Sequence, residues 1–283
     1  MTRLLLLLAL LLPGAALAQP AAPSPAPPAA LPEAMRGNWT DGDCARPAAV
    51  LHVTPRAVAR LPAESAGRLL RFSAIARHGD WVLGTADGAA APRLLLRLQG
   101  DALETIEPEA KTRDDALPGP GLPQAWRRCP QWPPALVARN GEGIAFLGML
   151  ERIEAACGGD AGSAGCLAAL YRAADVSGDG LLSTAELARL FRGAAWVAAI
   201  EEPADERMVL QGLSAAAALL LARGVVESLD YDGDGRLSLA ELAQDHGGLP
   251  ESGGTAEGSP VPLIGLTEAL GALRAVMSGV VAP

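Results

Sequence analysis

Lysine is almost missing from this 283-residue sequence: Lys111 is the single example. Arginine supplies nearly all of the basic charge, and 23 Lys and Arg face 32 Asp and Glu, a net charge of −9. With no basic patch to follow a phosphate backbone, the composition argues against nucleic acid as a partner. A Gly-x-Ser-x-Gly elbow, a His-Glu-x-x-His pair and a glycine-rich phosphate loop are all absent, which removes the commonest signatures of hydrolases and nucleotide enzymes. A hydrolytic enzyme with an unrecognised site then needs carboxylates that converge in space. The adjacent pair Asp114-Asp115 lies in a Gly/Pro-rich stretch where water would solvate it.

Cysteine is scarce, and no Cys-x-x-Cys occurs. His52, His78 and His246 are scattered, so zinc lacks its usual paired ligands. Four cysteines allow three pairings. Cys44–Cys129 with Cys157–Cys166 is favoured, because each bridge then stays inside one compositional block. Long apolar runs are also wanting. Leu4–Leu12 is far short of the ~20 apolar residues of a bilayer span. Met208–Glu227 is rich in Ala and Leu but carries Gln211, Arg223 and two glycines, and reads as a buried helix. No transmembrane span is expected.

What is present begins with an export signal. Arg3, the apolar run and the small-x-small triplet Ala16-Leu17-Ala18 read as a signal peptide over 1–18. A membrane anchor is the alternative. Cleavage leaves a formal charge of −10 and points to a secreted or periplasmic protein, where disulfides persist. Residues 19–34 are a Pro/Ala-rich linker.

The fold class expected is α+β. Over 35–130, short apolar runs at 49–53, 68–75, 81–86 and 93–98 alternate with Gly, Pro and Gly-Asp turns. They predict a small antiparallel β domain, a meander or barrel. A linker is expected over 131–141, and a helical pattern follows over 142–246, with segments at 142–156, 164–174, 184–200, 204–229 and 239–246. A flexible tether over 247–262 leads to a C-terminal amphipathic helix over 263–281, with Leu266, Leu270, Leu273 and Met277 on one face.

Chemistry concentrates in two twelve-residue stretches. In Asp230–Glu241, four carboxylates crowd around Gly235. Carboxylates held so close repel one another, and a hard divalent cation would relieve that repulsion. Such an ion takes six to eight oxygens, which a loop of this length offers from positions 1, 3, 5, 7, 9 and 12. Those positions are Asp230, Asp232, Asp234, the carbonyl of Arg236, Ser238 (through water) and Glu241. Upstream, Asp175, Ser177, Asp179, the carbonyl of Leu181, Ser183 and Glu186 repeat the scheme around Gly180. Ser177 replaces a carboxylate, so weaker binding is expected there. A Glu able to bind through both oxygens at position 12 favours calcium over magnesium.

These residues resemble the EF-hand family over about 142–246. The resemblance implies an all-α EF-hand pair holding up to two calcium ions, joined by a short β-bridge between Leu182 and Leu237. Loop starts 55 residues apart are wider than that family's usual spacing. The opening Gly37-Asn38-Trp39 weakly resembles lipocalin-type folds. Three functions follow as expectations: a calcium-binding protein with a structural or partner-recruiting role, a calcium-stabilised carrier of a small apolar ligand in the β domain, or the unrecognised hydrolase. The partner would be another protein or the chain's own C-terminal helix lying in the EF-hand groove; that helix could equally be ordinary core or a membrane-surface helix.

Overall fold

The computed structural model describes residues 30–87, 91–158 and 162–244. The signal peptide, residues 19–29 of the first linker, the tether and the C-terminal helix expected from the sequence lie outside the described residues.

Eight antiparallel strands close into an up-and-down barrel: β1 Gly37–Thr40, β2 Ala49–Val53, β3 Ala57–Pro62, β4 Arg68–His78, β5 Trp81–Ala86, β6 Arg93–Gln99, β7 Ala102–Ile106 and β8 Gln124–Arg128. Each strand pairs with the next, and Trp39↔Arg128 and Thr40↔Arg127 seal β1 to β8. Of the meander or barrel that the apolar runs suggested, the barrel is the one found, and it is larger than the small domain expected. Both Gly-Asp turns are found, with Gly79 and Gly100 each at φ 58°, a conformation glycine adopts without steric cost.

Closure leaves no free sheet edge, and alternation along each strand sorts side chains inward or outward. Inside lie Trp39, Leu51, Val53, Val58, Phe72, Leu96, Leu103 and Trp126, while Leu31 and Met35 pack against the same core. An eight-stranded barrel has an interior that side chains can fill, and these do. At one mouth a hollow of about 150 Å³ remains, lined in part by Arg60, Arg68 and Leu122. Small-molecule sites commonly occupy ~300–1,000 Å³, so the barrel offers little to the carrier reading.

Five helices follow: α1 Pro134–Cys157, α2 Gly162–Ala174, α3 Thr184–Ala198, α4 Ala204–Leu229 and α5 Leu239–Gln244. α1 begins inside the linker expected at 131–141. The prolines that suggested a break instead start the helix, with Pro133 as N-cap and Pro134 in its first turn, where a missing N–H costs nothing. No spacer separates barrel and helices. The outer faces of β2 and β3 (Val50, Ala57, Ala59, Leu61) pack against Leu147, Trp196, Val197 and Ile200. This double burial explains why β2, AVLHV, is apolar on both faces.

Both expected disulfides are formed. Cys44–Cys129 ties the β1–β2 loop to the end of β8, and Cys157–Cys166 joins α1 to α2. With all four cysteines paired, no thiolate remains for zinc. Such bridges are more typical of extracellular or periplasmic proteins.

One expectation fails at α4. Read as a buried helix, it is mostly exposed, and it is the one helix among the described residues long and apolar enough to cross a membrane, with a mean hydropathy of 1.7 over its most apolar window. Composition suggested burial, but only one stripe of the helix, including Ala218, Ala222 and Val226, faces the protein.

Candidate metal centre

The two acidic loops connect α2 to α3 and α4 to α5, so each hangs between the end of one helix and the start of the next. Their internal bonding is nearly identical. Asp175 closes the first loop by accepting from the Gly178 amide at 2.7 Å and the Gly180 amide at 2.9 Å. Asp230 does the same with the Gly233 and Gly235 amides, both at 2.8 Å. The turn needs positive φ at both glycines of each loop: 73° and 80° at Gly178 and Gly180, 77° and 81° at Gly233 and Gly235. An L side chain is strained at any of these angles.

At the far end, Glu186 and Glu241 reach back across their loops. Glu186 accepts from the Val176, Ser177 and Ser183 amides, all at 2.9 Å. Glu241 accepts from the Tyr231 amide at 2.9 Å and from the Ser238 amide and hydroxyl, each at 2.8 Å. Ser183 and Ser238 in turn accept from the Glu186 and Glu241 amides. This is a capping box, two donors at a helix start satisfied reciprocally. One glutamate therefore both starts the helix and faces the loop interior.

The loops sit together. Leu182 and Leu237 form the expected antiparallel bridge, with N–H···O distances of 2.8 and 2.9 Å in the two directions. Both side chains are fully buried in a cluster with Tyr171, Ala174, Leu187, Ala222 and Val226. The Tyr171 hydroxyl donates to the carbonyls of Gly180 and Leu237, tying one loop to the other. The wide spacing of the loops is absorbed by α3 and the 26-residue α4, which pack on one another and bring Asp230 back beside Asp175's loop.

Carboxylate oxygens of Asp230, Asp232 and Asp234 all lie within 4.8 Å of one another. Their repulsion is visible in Asp232. Its bond from the Asp234 amide favours the charged form, yet desolvation and the charges of Asp234 and Glu241 outweigh it and raise its pKa. Glu186 goes the other way: burial pushes it up, but bonds from Ser183 and Ser177 bring it down to about 2. Glu241 is lowered, first by the Ser238 amide and hydroxyl. Each position-12 carboxylate is thus held ionised. An all-oxygen, anionic donor set on a loop pre-closed by its own amides suits a hard divalent cation.

Two functional side chains escaped the sequence reading. Arg236, chosen for its carbonyl, also sends its guanidinium to Asp179 of the sister loop at 2.6 Å. Tyr171, four residues before the first loop, is a polar strut. Asp114 and Asp115 are exposed and engaged by Arg93 and Arg113, so they do not form a converging catalytic pair. No family model matches the chain, and no match is found among curated proteins or solved structures; the EF-hand resemblance rests on the loops alone.

Proposed function

We propose that this is an exported calcium-binding protein, secreted or periplasmic, that holds up to two calcium ions in loops 175–186 and 230–241. The role is structural or partner-recruiting. The observation that carries the reading is the repeated closure of two twelve-residue loops, each with the same amide-to-carboxylate bonds, joined at Leu182–Leu237. Two such loops made by chance would not share both bonding pattern and partner. Calcium would supply the positive charge that the Asp230, Asp232 and Asp234 cluster lacks.

The second loop is the tighter site on this reading, because Asp232 offers a charge where Ser177 offers a hydroxyl. Extracellular modules of this kind bind at ~10⁻⁴–10⁻³ M. Calorimetric titration of the protein should give two binding events. Glu241→Gln should abolish the tighter event and leave the weaker, and Glu186→Gln should do the reverse. A hundredfold excess of calcium over Kd adds about 2.7 kcal/mol per site to stability, readable as a raised Tm that chelator reverses. No heat of binding and an unmoved Tm at millimolar calcium would end the proposal.

A further inference from the structure

α4 wears its polarity the wrong way round. Between Arg207 and Arg223 it has no charged residue, yet Met208, Val209, Leu213, Leu219, Leu220 and Leu221 point outward, with Leu220 71% and Val209 60% exposed. Its two polar residues in that stretch, Gln211 and Ser214, lie half-buried on the inner side. Val209, Leu213, Ala216 and Leu220 fall at i, i+4, i+7 and i+11, one continuous stripe. A surface helix ordinarily turns such a stripe toward a core, and contiguous exposed apolar surface of this kind marks a docking site.

We infer that the outer face of α4 is covered by the chain's own C-terminal segment, Leu263–Gly279. Its sequence carries Leu263, Leu266, Leu270, Leu273 and Met277 at alternating steps of three and four, the spacing by which one helix packs along another. As a helix it would run ~25 Å, against ~20 Å for Met208 to Leu221. The reach also matches. Described residues end at Gln244 on α5, whose Leu242 packs in the cluster of Val226 and Leu229 at the far end of α4. Sixteen residues, the length of 247–262, would span ~22 Å if they behaved as a flexible coil, and Val226 to Leu213 is ~20 Å along the helix. The site differs from the EF-hand groove considered above. There, Tyr171 and Leu187 already share a buried cluster with Val226, and Phe191 and Leu242 pack against it.

Two other occupants fit less well. To span a membrane, α4 would have to be pulled from the fold. Arg207, buried at its start, donates to the carbonyls of Pro62 on the barrel and Ile200, and the acidic chain is repelled by anionic lipid. A second copy competes at solution concentration, whereas a short tether holds the segment at an effective concentration of ~10⁻³ M.

The test compares the protein ending at Pro283 with one ending at Gly258, and with Leu270→Glu and Leu220→Glu, by binding of an apolar-surface dye and by light scattering. Leu220 is exposed, so its replacement does not threaten folding. Truncation and Leu270→Glu should each raise dye binding several-fold, and adding Leu220→Glu should cancel most of that rise, with every form monomeric. Dye binding unchanged by truncation overturns the inference. So does a full-length dimer lost in Leu220→Glu, which assigns the face to a second copy. Binding of the full chain to lipid vesicles, again lost in Leu220→Glu, assigns it to a membrane. None of these readouts depends on calcium.

Discussion

His52 lies on β2 beside Asn38, whose side-chain oxygen meets its ring Nδ1. Burial pushes its pKa down from the ordinary 6.5 to about 4. The ring is thus neutral in the fold while the unfolded chain takes up a proton near 6.5. Its contribution to stability is whole above that pH and is lost as pH falls from 6.5 toward 4. A depression of this size is worth at most about 3 kcal/mol, less for a ring that still touches solvent. His52→Gln keeps an amide donor for Asn38 and removes the titration. Urea midpoints at pH 7.5 and 5 should fall further for the native protein than for the variant; an equal fall would show that another group governs this window. At this same scale the acidic loops were legible in the sequence. Residue types recur there at fixed intervals, and the structure brings Asp230, Asp232 and Asp234 of that pattern together. The Arg236–Asp179 contact did not, since it joins residues 57 apart, and no local pattern reports a partner that distant.

Among the elements, α1 and α3 cross through reciprocal glycine–aromatic contacts. A Cβ at Gly143 would lie 1.9 Å from the Trp196 ring, and one at Gly193 would lie 2.5 Å from Phe146. The indole has no freedom to retreat, because its N–H donates to Asn140 on α1 at 3.2 Å. Alanine in a helix normally gains about 1 kcal/mol over glycine, but overpacking of this kind costs about 1–3 kcal/mol. Gly143→Ala should therefore destabilise. Gly148→Ala, on the same helix with open space around it, should stabilise by about 0.5–1 kcal/mol. Thermal melts of the two variants check the pair, and opposite signs are the expected result. Helix positions were largely readable from periodicity, but two features were not. α1 starts on prolines, which suit the first turn and a break equally well. The exposure of α4 was hidden because Ala and Leu content is the same whether a helix is covered or bare. Strands β1, β3 and β8 were also missed. In β8, QAWRR, Trp126 is the sole large apolar residue, and only closure of the barrel gives it a core to enter.

Across the whole molecule, barrel and helices are joined by ionic contacts as well as by the apolar seam. On the barrel side Thr54 and the Arg56 amide meet Glu151 of α1, and Arg71 pairs with Glu154. Both partners of that last pair are nearly withdrawn from water, with side chains 11% and 6% exposed. Burial brings the Arg71 pKa down to about 10, against the pull of Glu151, and raises that of Glu151. These shifts indicate that desolvation takes back much of the Coulombic gain, as is usual for buried pairs. Removing one partner is then far worse than removing both, since a lone buried charge keeps its desolvation cost and loses its compensation. Glu154→Leu should cost about 3–5 kcal/mol. Adding Arg71→Met should recover most of that loss, because two apolar side chains of similar size would extend the neighbouring seam of Val50, Ala57 and Leu147. Urea unfolding of the native protein, both single variants and the double variant measures the coupling. A double variant as unstable as the sum of the singles would mean that the two residues act independently, and that this pair does not couple barrel to helices.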